Sequence, residues 1–275
     1  MTPKSILITG CSSGIGYDAA RVLRKRGWRV FASCRKELDC ERLRSEGFES
    51  VHIDYTDTAS IQSGFAQVIE ATGGTLDAVF NNGAHALSGA VEDVPTDGLR
   101  AIFEANFFGW HELTRLVLPV MRAQGSGRII QCSSTLGITT IRWRGPYSAT
   151  KHALEALSDT MRLELRDTDI HVVSIQPGPI TTKFRENGIP RFEQWIDWEK
   201  SAQRSKYETD LIPRMHSDSK DSFELPVSAV SAKLVRALEA GHPKPKYMVT
   251  TATYLAAFLR RILPTRAIVA VSARF

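Results

Sequence analysis

Tyr147 and Lys151, at the two ends of Tyr-Ser-Ala-Thr-Lys, are the residues of this chain best suited to moving a proton. Spacing of i, i+4 puts both on one face of a helix. A phenol ordinarily ionises near ~10, too high for proton transfer at neutral pH. An ammonium about 5 Å away contributes roughly 3 kcal/mol at an effective dielectric of ~20, or about two pKa units, so it brings the phenol toward a working pH. Burial opposes that shift. Tyr-x-x-x-Lys alone also recurs by accident, so position has to decide. Ser133-Ser134 closes the apolar run Arg128–Cys132, and Asn81-Asn82-Gly83-Ala84 closes the run Asp77–Asn81. Asn106 sits inside the helical pattern Glu104-Ala-Asn-Phe-Phe-Gly109, where asparagine is locally unfavourable. Each of these also reads as a cap or a turn when taken singly.

A second constellation lies near the N-terminus. Ser5-Ile-Leu-Ile-Thr9 runs into Gly10-Cys11-Ser12-Ser13-Gly14-Ile15-Gly16, and a helical pattern follows at once. Glycines let a backbone turn sharply and approach a pyrophosphate, and a helix N-terminus offers it N–H groups. Many strand-to-helix turns hold two glycines. The place of this one after the first strand points to dinucleotide binding. Where the second strand ends, a carboxylate would hold a ribose 2′-hydroxyl and repel a 2′-phosphate. This chain has Ser33-Cys34-Arg35-Lys36 there, with no acid before Glu37. Arg35 offers a planar fork for phosphate and Lys36 a point charge, which favours NADP(H) over NAD(H). A solvated basic turn is the alternative.

These residues need a scaffold that brings them to one edge. Near-continuous apolar segments at Ser5–Thr9, Arg29–Ser33, Ser50–Asp54, Asp77–Asn81, Arg128–Cys132 and His171–Ile175 predict strands covered on both faces. Helical patterns at Gly16–Arg26, Ala59–Thr72, Gly98–Gln124 and Tyr147–Arg166 alternate with them. The alternation predicts an α/β fold with a doubly wound parallel sheet. Residues 181–225 are polar, broken by Pro190 and Pro213, and carry several aromatics. A helix is expected between Pro226 and Gly241, and Lys246–Thr250 fits a last strand. With no repeat or linker, residues 1–275 read as a single domain with an elaborated region at 181–225.

In these motifs the chain resembles the classical short-chain dehydrogenases/reductases, from about Ser5 to Thr182. Thr-Gly-x-x-x-Gly-x-Gly spans Thr9 to Gly16, and Ser134 precedes Tyr147 by thirteen residues. Asn106 matches the family's helix asparagine, and Pro177, Gly178 and Thr182 match its Pro-Gly-x-x-x-Thr stretch. One departure is Asn81-Asn82-Gly83-Ala84 in place of Asn-Asn-Ala-Gly, which puts the backbone contacts at 83 and 84 in question. The resemblance implies a Rossmann-like fold and hydride transfer between a nicotinamide and a carbonyl or alcohol. It implies Tyr147 as the acid or base, and Lys151 as the group that depresses its pKa and holds the nicotinamide ribose. Ser134 polarises the substrate oxygen and Asn106 positions a relay water. Cofactor contacts extend over Gly10, Ser12, Ser13, Gly14, Ile15, Gly16, Arg35, Lys36, Asp54 (adenine), Asn81, Pro177, Gly178 and Thr182 (carboxamide). The 181–225 segment falls where this family builds its substrate lid, and its aromatics favour a lipophilic carbonyl or alcohol such as a steroid, retinoid or long-chain aldehyde. Trp143, Phe184, Trp195 and Trp198 are the lining candidates. The sequence is similar to the branch holding 17β-hydroxysteroid and retinol dehydrogenases. Homo-oligomers are a family expectation. A dinucleotide-binding sensor without turnover is the rival, but binding alone needs no Asn106, Ser134, Tyr147 and Lys151 set.

Composition narrows the rest. Apolar residues make up 43% and charged residues 24% of 275, which excludes disorder and fibrous repeats. Cys11, Cys34, Cys40 and Cys132 show no C-x-x-C pair and the seven histidines no ligand spacing, so no metal and a reducing, cytoplasmic setting are expected. The net charge of +5 is diffuse and lacks an aromatic-laced stripe, which argues against nucleic acid. No apolar run is long enough to span a bilayer. From Tyr247 onward Arg260, Arg261, Arg266 and Arg274 stand among Tyr254, Leu255, Phe258, Leu259, Ile262 and Leu263 without a carboxylate. Such a basic amphipathic tail fits peripheral membrane contact, closure of the substrate site or a subunit contact.

Overall fold

Ile6, Leu7 and Ile8 have no exposed surface, because the strand they form has neighbours on both sides and helices on both faces. The structure, a computed structural model, describes residues 3–273. Its first half runs β1 (Ser5–Ile8), α1 (Gly14–Lys25), β2 (Arg29–Cys34), α2 (Glu37–Ser45), β3 (Glu49–His52), α3 (Thr58–Thr72) and β4 (Ala78–Asn81). The second half runs α4 (Thr96–Phe103), α5 (Gly109–Gln124), β5 (Ser126–Cys132), α6 (Gly145–Glu164) and β6 (Asp169–Gln176). The strands pair in parallel in the order β3-β2-β1-β4-β5-β6, and β7 (Lys246–Met248) adds a seventh at the β6 edge. This is the Rossmann-like doubly wound α/β sheet that the alternation predicts. The order reverses between β1 and β4, and there the carboxyl ends of the strands open a crevice.

All six expected strands and the last one form, within two residues of their predicted ends. Two helices differ from expectation. Helix α2 carries no clear apolar stripe, burying only Cys40 and Leu43 among charged neighbours, so periodicity does not show it. The pattern from Gly98 to Gln124 is not one uniform helix. It widens into a π-turn at Glu104–Phe108 between α4 and α5, and Asn106 sits inside that turn, fully buried. π-turns are rare and collect at functional sites.

Between β6 and Pro226 the chain forms short helices where only broken polar sequence was expected, and the expected helix and last strand follow. The short helices α7 (Ile189–Trp195), α8 (Arg204–Lys206) and α9 (Ile212–Met215) cross the sheet's carboxyl edge, and α10 (Ser228–Glu239) packs against α1. Helices α7 and α9 contribute to a second apolar cluster, separate from the sheet core, that contains Leu87, Ile102, Tyr147, Phe192, Tyr207 and Met215. The tail folds as α11 (Thr251–Ile262) and α12 (Thr265–Ser272), and Arg274 lies outside the described residues.

Close packing ties α5 to the loop after β3. A Cβ at Gly109 would stand 2.5 Å from Tyr55 Cβ and 2.7 Å from Tyr55 Cα, so only glycine fits. Tyr55 in turn places its hydroxyl 2.8 Å from Thr9 Oγ1 and 2.6 Å from Asn81 Oδ1. Gly109→Ala is therefore expected to lower stability by about 1–3 kcal/mol in urea unfolding. An unchanged midpoint contradicts this packing.

Candidate active site

The sequence turns sharply after β1 because Gly10 and Gly14 adopt φ of +68° and +59°, which side-chain-bearing residues rarely do. Gly10 also backs directly onto the loop after β4. A Cβ there would lie 2.6 Å from Gly83 Cα. Gly83 donates its N–H to Thr9 Oγ1 at 3.2 Å, and its carbonyl accepts from Trp110 Nε1 at 2.8 Å. Gly83 thus makes backbone contacts to both Thr9 and Trp110 in the altered Gly83-Ala84 order. Asn82 Nδ2 donates to Thr9 O at 2.9 Å and fastens the two loops together.

Helix α1 begins at Gly14 with no side-chain cap from Ser13 and no acid in its first turn. Its free N–H groups and positive end form a cradle for a phosphate group, with Ser12, Ile15 and Gly16 at its rim. Arg42 Nη2 donates to Ser12 O at 2.8 Å and adds a cation to the rim that the sequence reading missed. Arg35 and Lys36 are exposed at the end of β2 without a carboxylate within 4 Å among the described residues. Asp54, at the end of β3, accepts from Thr56 N and Oγ1 through one oxygen, at 2.9 and 2.8 Å. Thr182 folds back over the loop. Its methyl would lie 3.3 Å from a Cβ on Gly14, and Gly178 nests against Thr250. Pro177 O accepts from Thr135 N at 2.7 Å. This cradle, with cations at the β2 end, fits a nicotinamide dinucleotide. Asn81, also expected among the cofactor contacts, turns its side chain into the core. Its side chain is fully buried, with Oδ1 on Tyr55 and Nδ2 3.3 Å from Thr114 Oγ1, so it braces the core below the crevice.

Across the crevice, α6 presents Tyr147 and Lys151. Both are buried, and Lys151 Nζ donates to Cys132 O at 2.8 Å. The ammonium also lies 4.1 Å from the centroid of Trp110 and 5.6 Å from that of Tyr147. Burial pushes the Lys151 ammonium down to about 8. Burial likewise pushes the Tyr147 phenol up, and the Cys132 thiol adds to the rise. The groups that lower Tyr147 are a hydrogen bond from Ser134 and the charge of Arg144. Desolvation dominates, and Lys151 is not among the groups that lower the phenol, contrary to what the spacing predicts. Ser134 Oγ accepts from Leu136 N at 3.0 Å and lowers the Tyr147 pKa, while Ser133 Oγ is buried without a hydrogen-bond partner.

Asn106 hydrogen-bonds the backbone of His85 with both ends of its amide, accepting from N at 3.1 Å and donating to O at 2.9 Å. His85 is held neutral down to about 4, mainly by burial and then by the charges of Arg191 and Arg35. Arg144 is a further residue that motif reading passes over. It stands one turn before Tyr147, and its Nη1 donates to Ser88 Oγ at 2.8 Å. Trp143 before it has φ +67°, and Gly89 N–H pins the Trp143 carbonyl at 3.0 Å. All four aromatic lining candidates pack against the second apolar cluster. Phe184 meets Tyr147 edge-on at 5.4 Å, and Trp143 stacks at 4.6 Å on Tyr207. Trp195 covers Gly98 on α4, and Trp198 packs at the border of the same apolar cluster. No cluster of metal-ligating side chains occurs among the described residues.

Comparison with known proteins agrees with this geometry. Residues 4–190 match the family described as short chain dehydrogenase. The Escherichia coli K12 protein called uncharacterized oxidoreductase YbbO is 39% identical over 263 residues, covering 96% of this chain and 91% of its own. The NADPH-dependent 3-dehydrocapnine reductase of Ornithobacterium rhinotracheale is 31% identical, covering 94% of this chain and 93% of its own. A short-chain dehydrogenase from Streptomyces avermitilis superposes with TM-score 0.77 at 25% identity, over 97% of this chain and 94% of that one. The chain belongs to the short-chain dehydrogenase family of oxidoreductases.

Proposed function

We propose that this oxidoreductase uses NADP(H) to interconvert a lipophilic carbonyl compound and its alcohol. The observation that carries this reading is the position of Tyr147. Its phenol belongs to the second apolar cluster, against Phe184, while its neighbours Ser134 and Lys151 are the polar groups that the chemistry needs. When bound, the nicotinamide supplies or takes the hydride.

In reduction, Tyr147 donates its phenolic proton to the carbonyl oxygen as negative charge develops there. The Ser134 hydroxyl holds the same oxygen. Lys151, anchored on Cys132 O, supplies the positive charge beneath the phenol and would hold the nicotinamide ribose. Protonated phenol is the form that burial favours, which suits the reductive direction. Asn106 keeps the His85 loop in place from within the π-turn. The apolar residues of the lid exclude solvent and favour a hydrocarbon body, a class that includes long-chain aldehydes, steroids and retinoids.

The preference for NADP(H) rests on Arg35 and Lys36, exposed without carboxylate partners at the end of β2. The relative from Ornithobacterium rhinotracheale is NADPH-dependent by name, which supports the same choice. Fluorescence titration is expected to show tighter binding of NADPH than NADH, and Arg35→Asp to weaken NADPH binding by roughly tenfold to a hundredfold. A preference for NADH overturns the cofactor assignment and leaves the proton chemistry standing.

Tyr147→Phe should retain cofactor binding and lose about 10²–10⁴-fold in kcat/KM for a long-chain aldehyde. Full turnover in this variant rules out Tyr147 as the proton donor. Arg144 gives a pH test. Its charge favours the phenolate, so Arg144→Gln raises the Tyr147 pKa further. Alcohol oxidation requires the phenolate and rises with pH, so its rising limb should move to higher pH in this variant. A limb that stays in place, or moves down, contradicts the coupling.

A further inference from the structure

The helix that closes the chain has no protein to cover one of its faces. Tyr254, Leu255, Phe258 and Ile262 are 46–60% exposed. At the helical angle of about 100° per residue they fall within one arc of roughly 100° on α11. Thr253, on another side of the helix, is buried and reaches Thr135 and Thr250. The root of α11 is thus fastened beside Ser134, and its apolar arc faces away from the body of the protein. Val269 on α12 is a further large apolar side chain, 61% exposed.

Unpaired charge around this arc is basic. Arg261 borders it and Arg266 follows it on α12, both exposed. Beside Tyr254 runs a groove of about 550 Å³ lined by Lys233, Arg236, Lys244 and Lys246. Lys233 Nζ lies 5.9 Å from the Tyr254 ring centroid. Lys246 is committed to Glu155 and Asp159, and Glu239 in the same groove to Arg26. Lys233, Arg236, Lys244, Arg261 and Arg266 have no carboxylate within 4 Å among the described residues. No Asp or Glu occurs after Glu239.

We propose that α11 is a peripheral docking element for an anionic lipid surface, its apolar arc entering the acyl boundary and the surrounding lysines and arginines meeting the headgroups. A helix with an apolar face and a basic border lies in the plane of a membrane in this way. No helix among the described residues is long and apolar enough to cross one. A second copy of the chain suits the face less well. Two-fold pairing would bring Lys233, Arg261 and Arg266 near their own copies with no acid to answer them. The docking proposal stands apart from the choice of substrate. With a lipophilic substrate, it also explains why the docking helix is rooted at the catalytic residues.

The test is cosedimentation of the full chain with phosphatidylcholine vesicles and with vesicles that also contain phosphatidylglycerol. The full chain is expected to favour the anionic vesicles by roughly tenfold or more at low salt and to dissociate as salt rises. Leu255→Asp with Phe258→Asp, and separately Arg261→Glu with Arg266→Glu, should each lower that binding by roughly tenfold or more. Melting temperature and cofactor binding should stay unchanged, since these side chains are on the surface. Failure of the full chain to bind anionic vesicles, or equal binding by the variants, overturns the proposal. So does light scattering that shows a dimer which Leu255→Asp with Phe258→Asp splits into monomers, because the arc is then covered by a second copy.

Discussion

Lys151 carries an ammonium into a fully buried position, and the surrounding structure is arranged to make that tolerable. A buried charge without partners is strongly unfavourable. Here one carbonyl, Cys132 O, accepts from Nζ at the end of β5, and the Trp110 ring covers another side at 4.1 Å. Trp110 can serve because its own indole N–H is held by Gly83 O. Gly83 meets Gly10 backbone to backbone across the point where the strand order reverses. The charged residue on α6, the aromatic ring on α5 and the two glycine loops are therefore one connected assembly. Moving any of them exposes or strands the ammonium.

The same burial sets the chemistry. A phenol in this environment stays protonated, and a lysine in it loses affinity for its proton, with a pKa of about 8. The pair is a poised acid and a weakened cation, so small contributions decide how readily a proton moves. Ser134 and Arg144 supply such contributions directly to Tyr147. Phe184 and residues of α7 and α9 pack around Tyr147 in the same apolar cluster.

The strands and their order of appearance were legible because burial on both faces writes near-continuous apolar runs into the sequence. The phosphate loop and the Ser134, Tyr147 and Lys151 set were legible because motif and position reinforce each other. Helix α2 was hidden because a charged surface helix that buries only Cys40 and Leu43 has almost no period to detect. The π-turn was hidden because one extra residue in a turn leaves the apolar pattern nearly unchanged, although an asparagine inside it was a hint. Asn81 and Asn82 are indistinguishable by type, and the alternation of strand faces is what sends one into the core and the other to the loop. The net direction of the Tyr147 shift depends on solvent exclusion by residues more than thirty positions away, such as Phe184, which spacing along α6 does not contain.

Ionisation of Lys151 tests this arrangement most directly. In lysine-labelled protein free of cofactor, the ¹³Cε resonance of Lys151, identified by its loss in Lys151→Met, can be followed through a pH titration. Burial against Trp110 and Cys132 predicts a midpoint of about 8. A midpoint at the ordinary lysine value, near ~10.4, would show a solvated ammonium and contradict the buried pair on which the site is built.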